Sequence, residues 1–136
     1  MELSHDIKTR LIESAAQVRR WAYAPYSKYA VGAALLSDSG KIYDGVNIES
    51  AAYPTSICAE RVAYFKAVSE GERNFQAIAV VTENGGYPCG ACRQVMAEFG
   101  LETGVMICNA AGEVLEETTV GGLLPGAFTP DSLIRG

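Results

Sequence analysis

Apolar residues recur at helical spacing near the start of the chain, with charged residues between them. The apolar series is Ile7, Leu11, Ala15, Val18 and Ala22. Apolar side chains spaced three or four positions apart lie on one face of an α-helix. The pattern therefore predicts an amphipathic helix over residues 3–23, which ends before Pro25.

Farther along the chain, short β-rich apolar runs alternate with helical patterns. The predicted strands are residues 29–36, 41–47, 76–82, 105–108 and 114–118, and the predicted helices are 58–70 and 89–99. The first two and the last two strands flank turns that end in Gly40 and Gly112, so each pair should be antiparallel. Strands that alternate with helices imply crossover connections and a mixed sheet covered on both faces. We expect one α/β sandwich domain over residues 1–136.

Composition and charge narrow the classes of function. A chain of 136 residues with a hydrophobic fraction of 49% can build one sizeable core. The net charge of -5 leaves no basic stripe to neutralise phosphates, so binding of a polynucleotide lacks its main electrostatic contribution. We therefore expect no nucleic-acid partner.

The sequence also argues against a membrane location. No apolar run approaches the roughly 18 to 20 residues that a membrane helix needs, and Asp6 and Lys8 stand where a signal peptide would be apolar. We expect a cytoplasmic protein without a membrane partner. In that reducing compartment the four cysteines are more often free, metal-bound or catalytic than paired as disulfides.

Three of these cysteines stand at predicted helix starts. Cys89 and Cys92 are three positions apart and should face the same way, and Cys58 begins the other helix. Both helices follow a strand, and the carboxyl ends of neighbouring strands form the crevice where ligands bind in α/β proteins. Three thiolates there would hold one zinc ion and leave its fourth position for water, which is the catalytic arrangement.

Two alternatives to this catalytic zinc site stay open. A closed four-cysteine structural site would need Cys108, which lies inside a predicted strand and is assigned to the core. A redox role for the C-x-x-C pair would leave Cys58 and Glu60 without an explanation.

Two charged residues follow Cys58 directly. Glu60 lies in the first turn of the predicted helix, where it can reach the same ion and exchange protons with its water. In the alternative interpretation, Glu60 is a surface carboxylate that only stabilises the positive end of the helix dipole. Arg61 can donate to a thiolate and offset its charge, and its alternative is a solvated helix charge.

These residues belong to longer motifs that resemble zinc deaminases, and most closely the small homotetrameric cytidine deaminases. The metal motifs are Cys58-Ala59-Glu60-Arg61 and Pro88-Cys89-Gly90-Ala91-Cys92-Arg93-Gln94. The other motifs are Ala24-Pro25-Tyr26-Ser27-Lys28-Tyr29, Val31-Gly32-Ala33-Ala34, Asn47-Ile48-Glu49-Ser50-Ala51-Ala52-Tyr53 and Leu123-Leu124-Pro125-Gly126-Ala127-Phe128. The resemblance therefore extends over nearly the whole chain.

The resemblance implies a three-layer α/β/α sandwich with a mixed five-stranded sheet. It implies one zinc ion per chain and hydrolysis of cytidine and deoxycytidine to uridine and deoxyuridine in pyrimidine salvage. Water is the second reactant, and Glu60 moves protons between that water, N3 of the base and the leaving amine. It also implies a homotetramer whose subunits share active sites.

The resemblance further assigns residues to the substrate. Asn47 and Glu49 would hold the ribose hydroxyls, and alternate residues of an extended segment do point the same way. Without the resemblance they would equally be a polar strand end. Tyr29 would lie against the base, where relatives usually carry phenylalanine, and Ser50 stands where many have asparagine. The remaining substrate-binding residues implied are Ala59, Tyr53 and Phe128, the last two from a neighbouring subunit.

Three rival functions remain at this point. The first is deamination of another cytosine nucleoside, such as a blasticidin-type antibiotic, against which the Asn47 and Glu49 pair argues. The second is a zinc-stabilised binding protein without turnover, against which Glu60 argues. The third is an RNA or DNA editing enzyme, against which the acidic charge argues. Trp21 and His5 are interpreted as a helix-packing aromatic and a surface residue, without chemistry.

Overall fold

The computed structural model describes residues 3–135, so Met1, Glu2 and Gly136 of the predicted domain lie outside the described residues. The strands are β1 Gly32–Ser37, β2 Ile42–Val46, β3 Phe75–Val81, β4 Gly104–Cys108 and β5 Val114–Thr119. The helices are α1 His5–Val18, α2 Ala59–Ser69, α3 Gly90–Glu98, α4 Val120–Leu123 and α5 Pro130–Arg135. Within the described residues no helix is both long and apolar enough to cross a membrane.

The strands form one mixed sheet in the order β2-β1-β3-β4-β5. β1 is antiparallel to β2 and to β3, β3 is parallel to β4, and β4 is antiparallel to β5. Both predicted antiparallel pairs and the mixed sheet are therefore confirmed. Because β2 and β3 each run opposite to β1, their carboxyl ends lie at the same edge of the sheet, and the chain continues from them toward α2 and α3.

Alternating residues of the sheet supply two cores. Ala33 and Leu35 of β1 pack on one face with the apolar side chains of α2, α3 and α4, while Ala34 and Leu36 face the side that α1 covers. Leu11 and Ala15 are the fully buried residues of α1, as the helical spacing predicts. Helices thus cover both faces, and the predicted α/β/α sandwich is confirmed.

The opening helix is shorter than predicted. Ser4 caps its start by accepting from the Ile7 amide, and regular α-helix ends at Val18. A short 3-10 helix, Arg19–Trp21, follows. The chain then turns extended, because the backbone of Tyr23 pairs with Asn47 and Glu49 across the start of the site.

This early helix end corrects the interpretation of Trp21. Its side chain is 69% exposed and lies under the Arg20 guanidinium, 5.3 Å from the ring centroid, so it does not pack the helix onto the sheet. The 3-10 geometry changes the residue spacing and turns position 21 away from the apolar face of α1. His5 is exposed, as predicted.

The first strand begins later than predicted. Residues 29–31 precede β1, and the Asn47 side chain hydrogen-bonds their backbone on both sides: its amide donates to the Tyr29 carbonyl and its oxygen accepts from the Val31 amide. A side chain here replaces part of the strand ladder, so regular pairing starts at Gly32.

Candidate active site

Three cysteine thiols meet at the starts of α2 and α3. Cys58 is the N-cap of α2, and Cys89 is the N-cap of α3. The sulfurs of Cys58, Cys89 and Cys92 all lie within 4.8 Å of one another, with 3.7 Å between Cys58 and Cys89 and 3.2 Å between Cys89 and Cys92. Cys108 is fully buried in β4 and does not belong to this group, as its predicted core position requires.

This thiol triad fits a zinc ion. Zinc bonds to thiolate sulfur at about 2.3 Å, so two sulfurs of a tetrahedral site lie about 3.8 Å apart, close to the separations of the triad. Cys92 is buried, Cys58 is half-buried and Cys89 is exposed, which leaves one side of the triad open. Three sulfur donors with an open side correspond to a site that keeps a position for water.

Electrostatics inside the triad already favour a bound cation. The hydrogen bond from Cys92, followed by that from Arg61, lowers the pKa of the Cys58 thiol to about 5. The same interaction with Cys58, together with burial, raises the pKa of Cys92 far above its usual value. Without a metal ion, the negative charge of the triad therefore resides mainly on the Cys58 sulfur. A bound metal ion would displace the protons of the other thiols.

Arg61 lies beside the triad. Its Nη2 is 3.6 Å from the Cys58 sulfur, and neighbouring thiolates raise the pKa of the guanidinium. Its Nε is buried and has no hydrogen-bond partner among the described residues. The positive charge is thus directed at the thiols, which contradicts the alternative of a fully solvated helix charge.

Glu60 is a buried carboxyl next to the thiols. Only 4% of the residue is exposed, although it lies in the first turn of α2. Burial, with a smaller contribution from the Cys58 charge, raises its pKa to about 7. A helix-dipole carboxylate would be exposed and ionised, whereas a carboxyl with a pKa near neutrality can both accept and donate a proton.

A cavity of about 570 Å³ joins these groups to the polar residues that follow β2. On the thiol side it is lined by Cys58, Cys89, Glu60 and Arg61, and on the other side by Tyr29, Asn47, Glu49 and Tyr53. The structure therefore brings eight of the predicted site residues to one cavity. Cys92 lies behind it in the triad. Ala59 is buried in α2, and neither Ala59 nor Phe128 lines the cavity of this chain.

Asn47 and Glu49 are both hydrogen-bonded within the chain. Asn47 uses one amide N–H and its oxygen on the backbone of residues 29–31. Glu49 accepts from the backbone amides of Tyr26 and Ser27 at 3.1 Å and from the Ser27 hydroxyl. These bonds, chiefly that of the Ser27 side chain, lower the pKa of Glu49. Each group keeps further hydrogen-bonding capacity, because an amide has two donors and a carboxylate about four acceptor sites.

Several cavity residues had no assigned role at the level of the sequence. Ser27 lines the cavity and orients Glu49, while Thr82 and Gly86 come from the loop before Cys89. Tyr87 lines the same wall and is hydrogen-bonded to Glu116. Ser27 belongs to the motif of residues 24–29, and proximity in sequence to Cys89 is the signal that could have pointed to the others.

Ser50, which stands where many members of the resembled family have asparagine, makes local contacts. Its amide donates to the Ser56 hydroxyl at 2.9 Å, and its own hydroxyl accepts from the Ala52 amide at 3.1 Å. A serine can thus make the short turn contact that an asparagine would make.

Comparison with known proteins defines the class to which this fold and site belong. The family model described as "Cytidine and deoxycytidylate deaminase zinc-binding region" matches residues 5–108. This match covers most of the chain, including all three thiols of the triad. The chain belongs to this family of zinc-binding deaminases, and its thiol triad is suited to one zinc ion per chain.

Individual relatives agree with that assignment. The chain is 54% identical to the cytidine deaminase of Sporosarcina psychrophila over 91% of this chain and 93% of the relative. It is 52% identical to the cytidine deaminase of Halalkalibacterium halodurans, over 90% and 95% respectively. The crystal structure of cytidine deaminase from Burkholderia pseudomallei is 48% identical, has a TM-score of 0.84, and covers 93% of this chain and 100% of that chain.

Proposed function

We propose that this chain hydrolyses cytidine and deoxycytidine to uridine and deoxyuridine, with release of ammonia, as a step of pyrimidine salvage. The observation that carries the proposal is a single cavity that is lined by the buried carboxyl of Glu60, by the exposed side of a thiol triad and by a pair of polar groups suited to sugar hydroxyls. Reduced thiols and a small nucleoside substrate are consistent with a cytoplasmic location, which we also propose.

The metal would be held by Cys58, Cys89 and Cys92. When bound, zinc supplies Lewis acidity that lowers the pKa of water at its open position. Three thiolates would carry more charge than the ion, and the chain offsets this with Arg61 and with the amino-terminal ends of α2 and α3.

Glu60 supplies the proton movements. As a carboxylate it accepts a proton from the attacking water and delivers it to N3 of the base, so that C4 becomes more electrophilic. Once more a carboxylate, Glu60 then takes the remaining proton of the former water from the hydroxyl now on C4 and passes it to the amino group. The C4–N bond breaks, ammonia leaves and the C4 carbonyl forms. Burial of Glu60 keeps its pKa near neutrality, where the group can change protonation state in both steps.

Asn47 and Glu49 would bind the ribose hydroxyls. Their bonds to residues 26–31 hold both side chains in place before substrate arrives, so little side-chain entropy is lost on binding. Tyr29 would provide an aromatic wall for the pyrimidine, and Tyr53 lines the same cavity.

Cytosine without its sugar should be a poor substrate. We expect its kcat/KM to be at least roughly a hundredfold below that of cytidine, because the binding energy of the sugar contacts with Asn47 and Glu49 would be lost. Steady-state assays of cytidine, deoxycytidine, cytosine and an oligonucleotide by loss of absorbance would measure this directly.

The Asn47→Ala variant provides the matched test of the sugar contact. Since Asn47 also braces residues 29–31, general damage to the site would lower both rates together. Loss of a ribose contact should instead lower the rate on cytidine more than that on cytosine and narrow their ratio. Equal rates of the parent enzyme on cytidine and cytosine would show that the ribose assignment is wrong.

We also propose a homotetramer whose subunits share active sites. Tyr53 and Phe128 are 70% and 59% exposed in the single chain, so both rings present apolar surface that a neighbouring subunit could cover. The side chain of Gln94 in α3 donates a hydrogen bond to the Phe128 carbonyl. This bond holds the backbone of Phe128 near α3. Leu123, in contrast, is buried in the core, so the apolar carboxyl-terminal segment divides into a docked part and an exposed part.

Phe128→Ala should raise the KM for cytidine roughly threefold to thirtyfold while the tetramer persists, because the ring would exclude water from a neighbouring site. Light scattering combined with steady-state kinetics measures both quantities. Leu133→Ala is the control, since Leu133 is 75% exposed in the same terminal segment. A fully active monomer, or a Phe128→Ala enzyme with the kinetics of the parent, would argue against shared sites.

A further inference from the structure

The side chain of Tyr29 connects two parts of the active site that are distant in sequence. We infer that its hydroxyl is a positioning group: the bond from Tyr29 to Asn84 fixes the loop of residues 82–88 against the cavity and thereby sets the affinity for substrate. The kinetic part of this inference rests on the proposed function. The structural part, a hydroxyl that orders the loop, does not.

The loop end of the connection is a close contact. The Tyr29 hydroxyl donates to Asn84 Oδ1 at 2.8 Å, across 55 positions of sequence. A methyl group on Gly86 would collide with the same hydroxyl oxygen, so the Gly86 backbone packs directly on the end of the tyrosine ring. A phenylalanine at position 29 would keep the ring but lose the bond to Asn84.

The loop itself leads straight into the thiol triad. Its first residue, Thr82, accepts from the Gly86 amide at 2.6 Å, and its last carbonyl, that of Pro88, accepts from Arg93 Nε at 2.7 Å. Cys89 follows directly. Whatever fixes residues 84 and 86 therefore also limits the motion of the segment that delivers two of the three thiols.

The other end of the connection is the sugar side of the cavity. The Tyr29 amide donates to the Ser27 hydroxyl at 3.0 Å, and the Tyr29 carbonyl accepts from Asn47 at 2.8 Å. Ser27 in turn donates to Glu49. Tyr29 thus connects two parts of the site. Its backbone contacts Ser27 and Asn47 beside the proposed ribose-binding groups, and its hydroxyl contacts the loop of residues 82–88.

The first test measures loop order without any catalysis. Hydrogen exchange of peptides that cover residues 82–88 would be compared in the parent, Tyr29→Phe and Asn84→Ala. Each variant should exchange roughly twofold to tenfold faster in this loop, the range expected for one net hydrogen bond. Tyr23→Phe removes a hydroxyl from a tyrosine that is 57% exposed outside the cavity and should exchange like the parent.

The second test measures substrate affinity. Tyr29→Phe and Asn84→Ala should each raise the KM for cytidine roughly twofold to tenfold with a smaller change in kcat, since Glu60 and the thiols are untouched. The double variant should be no worse than either single variant, because both remove the same bond. Asn84→Asp keeps an acceptor oxygen and should restore a KM close to that of the parent.

The outcomes separate the two hypotheses. Parental loop exchange in Tyr29→Phe, an unchanged KM, or effects that multiply in the double variant would each overturn the inference. A parent protein that carries zinc but does not deaminate cytidine would instead contradict the proposed function, and the exchange experiment would still decide whether the hydroxyl orders the loop.

Discussion

Glu60→Gln should lower kcat for cytidine by roughly a hundredfold to ten-thousandfold, the usual scale for a positioned acid and base. Glutamine has nearly the same size and keeps hydrogen-bonding atoms at this buried position, but it cannot accept and return a proton. Zinc content should therefore stay at about one ion per chain, and the thermal midpoint should change little. Steady-state kinetics and metal analysis of the same preparation measure these quantities.

The control for this experiment is Glu98→Gln, which changes an exposed glutamate at the end of α3 and should leave kcat as in the parent. Two results would contradict the assignment of Glu60. Near-normal turnover of Glu60→Gln would remove its role in proton transfer, and loss of zinc from this variant would make its role structural.

The second large effect concerns the thiols. Cys89→Ala should lose zinc on dialysis against a chelator that leaves the parent loaded, and its activity should fall at least roughly a hundredfold. Cys89 is the most informative of the three, because it is exposed and its replacement removes little packing. Cys92→Ala would combine loss of a ligand with a cavity in the core, since Cys92 is fully buried.

Cys108→Ala is the matched control for the thiol experiment. Cys108 is fully buried in β4 beside the other residues of the α1-side core, so its replacement should lower the thermal midpoint. Zinc content and kcat should nevertheless match the parent. Loss of zinc from Cys108→Ala, or full zinc occupancy in Cys89→Ala, would show that the three-cysteine ligand set is wrong.

Much of the architecture follows from periodicity. The order of the five strands and of α1, α2 and α3, the antiparallel pairs and the burial of Leu11 and Ala15 were predictable, because each depends on local spacing and on turn residues. The short helices α4 and α5 were not predicted. The spacing of Cys89 and Cys92 placed both thiols at one helix start for the same reason. Cys58 could be added because successive helix starts converge at one edge of the sheet.

Other features depended on long-range contacts that periodicity does not encode. Trp21 lies inside the predicted helix and was interpreted as a helix-packing aromatic, yet the backbone of Tyr23 pairs with residues 47 and 49. This pairing ends the helix early and leaves Trp21 exposed. The start of β1 shifted because the Asn47 side chain occupies the backbone of residues 29–31. In both cases a partner many positions away overrode the local pattern.

The site shows the same division. The family motifs identified Tyr29 as a departure from phenylalanine, but the partner of its hydroxyl could be found only in three dimensions, at Asn84. Ser27 was part of a recognised motif without an assigned role until its hydroxyl was seen to bind Glu49. Sequence motifs therefore supplied the reacting groups, whereas the structure supplied the residues that hold them in place.

Uridine formation from cytidine, measured while zinc is returned to chelator-treated protein, tests the central claim most directly. We predict no turnover in the metal-free protein, then a rate that rises in proportion to bound zinc and levels off at about one ion per chain, with one ammonia released for each uridine formed. Turnover of cytidine that is independent of zinc, or zinc-loaded protein that leaves cytidine unchanged, would contradict it.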